Sequence, residues 1–545
     1  MPSPRARVPS PTPTEGVDIN RRTIAATTVA VVAALGLTAC SGSSTPGPAP
    51  TSSGVTASAG SNSSTPTAPL STRSSDVSGG VPADLRKFYD QKLVWKQCGA
   101  STFSCSTLTV PEDYSDPSGK TLQIAVIKDQ LVSHPIGSLI VNPGGPGGSG
   151  VTFVREASEA FSTLLQHFSL VSFDPRGVGE SDPIRCVSSA FLDHSTNMNP
   201  VPTTSPEIAA AVNEARTFAN DCYKRNGQYL EHVGTIDAAR DMDVLRAAVG
   251  DAKLTYYGAS YGTYLGAKYA QLFPTHIRAM ILDGAVNPAQ STMSSDRQQA
   301  IGFETDLHDF LVNCVQSSNC SLGSTVAAAT QELHNLVAQV TAHPIPAANG
   351  RMLGPGLFFS GLASGFYDAS DWPDLRAAIS EVQQGNPTLM IEFADELNER
   401  NANGTYTNLI ESNTAINCVD RPSPKSLSTY EKDARSDAKV APFFGAAIAW
   451  SSLPCAYWRV PPVEQAHPVH APDASATILV MGTTHDPATP YRQAQELTKQ
   501  LGKAQLVTLV GDGHTAYIYG NTCIDSAANN YLIDLKLPPK GLRCH

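Results

Sequence analysis

From about residue 90 onward, short apolar runs alternate with longer stretches in which apolar residues return every three or four positions. The runs are Leu122–Ile127, Ser138–Val141, Leu170–Phe173, Leu254–Tyr257, Met280–Leu282, Thr477–Met481 and Gln505–Val510. Several are almost continuously apolar, as strands buried on both faces of a parallel sheet must be. The segments between them have helical periodicity, notably Asp237–Val249, with Thr235 in its N-cap region, and Tyr261–Leu272. Strands alternating with helices predict an α/β fold built on a mostly parallel sheet. The alternation breaks between Met280–Leu282 and Thr477–Met481, where a long, Ala- and Gln-rich, mainly helical stretch ends in a Pro-rich exit around Pro461–Pro472. Strands resume afterwards, so this stretch predicts a cap domain over residues 289–472, inserted into a core formed by 81–288 and 473–545.

The amino end follows a different rule. Arg21 and Arg22 precede an uncharged apolar run, Thr23–Ala39, which is short for a membrane span. A basic segment followed by a short apolar one predicts an export signal over residues 1–39. The run closes in Leu37-Thr38-Ala39-Cys40, which resembles the bacterial lipobox, where cleavage frees the cysteine for lipidation; this marks Cys40. Residues 40–80 are rich in Ser, Thr, Gly, Pro and Ala, with Arg73 and Asp76 as the charges, and predict a flexible tether. Such a coil spans about 35 Å root-mean-square. The expected protein is exported and either anchored to the cell membrane by lipid alone or released.

Composition narrows the class. Among 545 residues, Lys+Arg 38 against Asp+Glu 49 gives a net charge of -11, which lacks the basic footprint of a nucleic-acid binder. Eleven cysteines are many for a cytosolic enzyme. Setting Cys40 aside leaves Cys98, Cys105, Cys186, Cys222, Cys314, Cys320, Cys418, Cys455, Cys523 and Cys544. An even set in an exported chain predicts five disulfides, with several hundred pairings open and sequence neighbours such as Cys98–Cys105 and Cys314–Cys320 the entropically cheapest. No two of these cysteines have zinc-ligand spacing, and His467-Pro-Val-His470 stands without further ligands, so neither metal nor cofactor is expected.

Three motifs carry chemistry. Gly258-Ala259-Ser260-Tyr261-Gly262 follows a predicted strand and opens a helix, the context that turns G-x-S-x-G into a nucleophile elbow at Ser260. A serine hydroxyl needs a base to take its proton. The next two predicted strands lead into Thr484-His485-Asp486-Pro487 and Gly511-Asp512-Gly513-His514. Both polar groups fall at carboxyl ends of strands, where open α/β sheets place their sites, so Asp486 is the expected acid and His514 the expected base. Asp283 is the rival acid, at the end of Met280–Leu282; His485 is a rival base, and Asp512 is expected to be a turn residue. Asn142-Pro143-Gly144-Gly145-Pro146-Gly147-Gly148-Ser149-Gly150 allows backbone N–H groups to approach a substrate closely. The N–H groups of Gly145 and Tyr261 are the expected oxyanion hole, because the G-K-[ST] ending of a phosphate loop is absent. Asp174 and Arg176 are expected to brace the neighbouring turn.

These stretches, with Asp174–Gly177, Ala279–Val286 and Ala415–Asp420, resemble actinobacterial secreted α/β-hydrolases of the tripeptidyl aminopeptidase type, in the peptidase family that includes prolyl aminopeptidase. They are also similar to mycobacterial cell-envelope serine proteases and to esterases on the same scaffold. The resemblance implies an α/β-hydrolase fold and a serine peptidase that releases short peptides from free N-termini through an acyl-enzyme. A carboxylesterase or thioesterase acting on envelope lipids is the alternative. The implied partner is a peptide or small acyl substrate bound by a monomer. An exopeptidase must also hold the substrate ammonium, for which Glu304, Glu411 and Asp420 are the candidates in the cap. A binding protein on a dead hydrolase fold is disfavoured, because nucleophile, base, acid and oxyanion loop are all present.

Overall fold

A computed structural model describes residues 80–347 and 350–545. The expected signal, Cys40 and nearly all of the tether lie outside the described residues.

The apolar runs become the middle of one ten-stranded sheet. In chain order the strands are β1 (Lys96–Gln97), β2 (Phe103–Pro111), β3 (Thr121–Asp129), β4 (Ser138–Asn142), β5 (Ser169–Phe173), β6 (Leu254–Ala259) and β7 (Ile277–Asp283), then a small hairpin of β8 (Ile345–Pro346) and β9 (Met352–Leu353), and finally β10 (Ile478–His485), β11 (Ala504–Asp512) and β12 (Arg543–Cys544). Across the large sheet the order is β1-β2-β3-β5-β4-β6-β7-β10-β11-β12. From β5 to β12 every pairing is parallel, whereas β1, β2 and β3 run antiparallel. This is the α/β-hydrolase fold.

Every residue of β4, β5 and β7 is buried, because helices cover both faces. The strand period of two divides their side chains between two cores. Ile140, Tyr256, Leu282 and Val480 pack with Met242 and Leu245 of helix Thr235–Ala248 and with Leu265 of helix Tyr261–Leu272. Their neighbours Val141, Tyr257, Ile281 and Met481 pack on the other side with Val151, Phe153 and Tyr531.

Two expectations are amended. β2 escaped the apolar pattern because it is a half-exposed segment, in which Leu108 and Val110 face inward between threonines. Thr235 is the first helical residue rather than the cap; Gly234 takes the cap position, and the Thr235 hydroxyl bonds Asp420 and Tyr261 instead.

Between β7 and β10 the chain forms helices and the β8–β9 hairpin. Phe303, Phe310, Leu333, Phe358, Leu375 and Met390 give this insert a core of its own. Five disulfides join Cys98–Cys105, Cys186–Cys222, Cys314–Cys320, Cys418–Cys455 and Cys523–Cys544. After β5, the fully buried Arg176 makes a two-pronged pair with Asp241 and donates to the carbonyls of Pro111, Glu112 and His232. One guanidinium thereby ties the end of β2 to helix Thr235–Ala248.

Candidate active site

Ser260 sits between β6 and helix Tyr261–Leu272 with φ 55 and ψ -124, a conformation that side chains rarely adopt. Its neighbours make that turn possible. A Cβ at Gly258 would run into the Gly262 carbonyl, and one at Gly262 would lie 2.8 Å from the Asn142 carbonyl oxygen. The Ser260 N–H donates to the Asp283 carbonyl at 2.8 Å, which pins the elbow to the adjacent strand.

The glycine loop presses against this turn from the β4 side. Gly144 has φ +101, and a Cβ there would stand 2.6 Å from the Ala259 carbonyl oxygen and 2.9 Å from Ser260 Cβ. Gly144 donates to Asn142 Oδ1 at 3.1 Å, and Gly148 donates to the Gly144 carbonyl at 3.2 Å, which closes the loop on itself. Asp174 holds the loop's exit by accepting from the Ser149 hydroxyl and the Val151 N–H. Gly145, next to Gly144, therefore lines the same cavity as Ser260, while Tyr261 contributes the first N–H of a helix, a group without an intrahelical acceptor.

His514 follows β11, and its Nδ1 lies 2.9 Å and 3.1 Å from the two oxygens of Asp486. Asp486 also accepts from the N–H groups of Ala488, Thr489 and Thr515 and from the Thr489 hydroxyl. Burial works to lower the His514 pKa, but the charge and hydrogen bond of Asp486, with Asp283 behind, outweigh it and raise the pKa above 6.5. The insert contributes to this arrangement: the Tyr367 carbonyl accepts the His514 N–H at 2.8 Å, and the Tyr367 ring meets the imidazole edge-on at 5.2 Å. With Nδ1 engaged, Nε2 has no protein partner among the described residues, and it shares one cavity with Ser260.

The rival residues have other tasks. Asp283 accepts from the N–H groups of Ala516 and Tyr517 and from the Tyr257 hydroxyl. Burial pushes its carboxyl up to about 6. His485 lies 2.7 Å from Asp512 and 3.0 Å from Asp309, outside the cavity.

The cavity, of about 450 Å³, is lined by Gly144, Gly145, Ser260 and His514 from the core. The insert supplies Tyr367, Asp368, Asp371, Glu396, Glu399 and Asn413. Burial pushes the Glu396 carboxyl up to about 7, with Asp371 adding to it; burial with Asp368 and Asp374 pushes Asp371 up to about 6. Glu304, Glu411 and Asp420 do not line this cavity. Glu304 accepts from the N–H groups of Phe443 and Phe444, Glu411 from those of Cys186 and Val187, and Asp420 from the N–H and hydroxyl of Thr235. Each is held where its negative charge satisfies buried backbone donors. The acids that do reach the cavity left one trace in the sequence, the Glu396-Leu-Asn-Glu399 spacing at the end of helix Thr388–Leu397.

Comparison with known proteins places this geometry. Residues 441–544 match the family model described as TAP-like protein. The chain is 36% identical to Serine protease Hip1 of Mycobacterium tuberculosis over 492 residues, covering 86% of this chain and 94% of that protein. It is also 36% identical over 452 residues to Carboxylesterase B of the same species, covering 81% and 86%. Tripeptidyl aminopeptidase of Streptomyces lividans is 33% identical over 470 residues, covering 83% of this chain and 86% of that enzyme. The chain belongs to this family of actinobacterial α/β-hydrolases of the tripeptidyl aminopeptidase type and is a serine hydrolase of the peptidase class.

Proposed function

We propose that the enzyme releases short peptides from free N-termini, with Ser260 as nucleophile, His514 as general base and Asp486 as the acid that orients it. One observation carries this reading: a single cavity is lined by Ser260, His514 and four acids of the insert, Asp368, Asp371, Glu396 and Glu399. An N-terminal ammonium held by those carboxylates directs a carbonyl a few residues along the peptide towards Ser260. His514 Nε2 takes the Ser260 proton as Oγ attacks, and the N–H groups of Gly145 and Tyr261 stabilise the oxyanion. Asp486 keeps the imidazole in the tautomer with Nδ1–H and stabilises its cation without accepting the proton. His514 then protonates the leaving amine, and water resolves the acyl-enzyme by the same route.

The test is a fluorogenic tripeptide amide with its N-terminus free or blocked, offered to wild type and Ser260→Ala. Cleavage of the free form alone, lost in the variant, supports the reading. Turnover of ester substrates with neither amide cleaved moves the assignment to an esterase, the reading favoured by the relative named Carboxylesterase B.

Export and lipid anchoring at Cys40 belong to the same proposal and rest on the lipobox-like Leu37–Cys40. No helix among the described residues is long and apolar enough to cross a membrane. Labelling with radioactive palmitate, lost in Cys40→Ala, supports the anchor; label that persists in the variant overturns it.

A further inference from the structure

Outside the catalytic cavity, three ligand-type side chains meet where the insert docks on the sheet. Asp309 comes from helix Thr292–Gln316, His485 from the end of β10 and Asp512 from the end of β11. His485 Nδ1 lies 3.0 Å from Asp309 Oδ2 and 2.7 Å from Asp512 Oδ1, and the donor atoms of all three fall within 4.8 Å of one another. One Nδ1 carries at most one proton, so it cannot donate to both carboxylates. Ligands set at right angles around a six-coordinate cation with bonds of about 2.1 Å stand about 3 Å apart, close to the two Nδ1–oxygen separations here.

A second observation is independent of that cluster. Asp306 is fully buried, and neither of its carboxylate oxygens has a hydrogen-bond partner among the described residues. Its direction follows from the helix. Positions 302, 306 and 309 share one face. At Gly302 that face abuts the loop after β10, where a Cβ would lie 2.5 Å from the Pro487 carbonyl oxygen and 3.0 Å from that of Asp486. At Asp309 the same face meets His485. Asp306 is thus turned into the junction between those two contacts, where the charges of Asp309, Asp486 and Asp512 all bear on it. A buried carboxyl with no donor and three acids bearing on it is costly as an anion unless a proton or a cation neutralises it.

We propose that Asp309, His485 and Asp512 bind a divalent cation, with Asp306 completing the negative shell on the buried side. Imidazole with carboxylates suits a first-row transition ion such as Zn²⁺ or Mn²⁺, whereas Ca²⁺ takes oxygen ligands throughout. The partial exposure of His485 and Asp512 leaves room for water on the outer side. The ion stands beyond the substrate cavity, so its task is structural. It joins one helix of the insert to the two loops that carry Asp486 and His514.

The test uses the purified full chain without a polyhistidine tag, stripped by chelator and dialysed. Zn²⁺, Mn²⁺ and Ca²⁺ are then titrated separately, with bound metal counted per chain and Tm followed. The expected result is one Zn²⁺ or Mn²⁺ per chain, weaker Ca²⁺ binding and a Tm that climbs with free metal, as binding to the folded state requires. Asp309→Asn/Asp512→Asn should lose the bound ion, and Asp306→Asn should weaken binding at least about tenfold, or about 1.4 kcal/mol. Circular dichroism and the metal-free Tm show whether the variants are folded. Metal-free Tm values at or above wild type are expected, because substitution removes crowded negative charge. No bound metal in wild type, or the same bound metal in the folded double variant, overturns the site. Undiminished affinity in Asp306→Asn overturns the part given to that residue.

Discussion

Asp486 bonds the imidazole of His514 at 2.9 Å, while Asp283, buried beside the same loop, bonds the backbone N–H groups two and three residues further on. The two acids therefore differ in what their removal does. Asp486→Asn should lower kcat by about 10⁴-fold and, because its carboxylate also accepts from the N–H groups of Ala488, Thr489 and Thr515, lower Tm as well. Asp283→Asn should keep kcat within about tenfold of wild type and lose about 1–3 kcal/mol of stability through its weakened backbone contacts. Steady-state kinetics and thermal melts on both variants decide it; the opposite pattern transfers the acid role to Asp283.

The proposed base should also set the acid limb of the pH profile. His514 must be neutral to accept the Ser260 proton, and Asp486 holds its pKa above 6.5. kcat/KM should therefore rise with pH through a value above that of free imidazole. Removing the Asp486 charge stabilises neutral His514, so the residual activity of Asp486→Asn should rise at lower pH. A limb that stays in place separates the titration from His514.

Selection of a free N-terminus should lie in the carboxylates that line the cavity. Glu396→Gln/Glu399→Gln should cut the preference for free over blocked tripeptide amides at least about tenfold, which is about 1.4 kcal/mol. Glu304→Gln, Glu411→Gln and Asp420→Asn should leave that preference unchanged and lower Tm instead. The groups pushed up to about 6 and about 7, Asp371 and Glu396, become anionic as pH rises. KM for the free peptide should fall across that interval, while KM for the blocked peptide stays level.

The contact between Gly144 and the elbow gives a fourth expectation. Gly144→Ala forces a methyl group into the Ala259 carbonyl and Ser260 Cβ, so the loop carrying Gly145 must retreat. Loss of one oxyanion donor should cost about 10²–10³ in kcat, with binding of a substrate-like inhibitor little changed. An unchanged kcat removes Gly145 from the oxyanion hole.

The sheet could be read from the chain because several central strands are buried on both faces and so carry a nearly continuous apolar signature. β2 could not, since it is only half buried and shows only a weak alternation. The juxtaposition of Ser260, Asp486 and His514, the proposed nucleophile, acid and base, was legible because each sits just after a strand, where a short motif and a chain position coincide. The cavity acids were not, because Asp371, Glu396 and Glu399 are brought to Ser260 by helix packing within the insert, which has no short-range signature. The same gap explains Glu304, Glu411 and Asp420. Cap acids are easy to nominate from sequence, but only the folded backbone shows whether buried N–H groups already need them.

The five disulfides form a plain succession: among the described residues every cysteine is joined to its neighbour in sequence, and no bridge encloses or crosses another. A chain that emerges from a pore N-terminus first shows an oxidant each partner in the order in which it must be used. Joining cysteines as they appear then yields the native set directly. Such a chain can mature with a simple thiol oxidase and needs no isomerase to correct mispaired bridges.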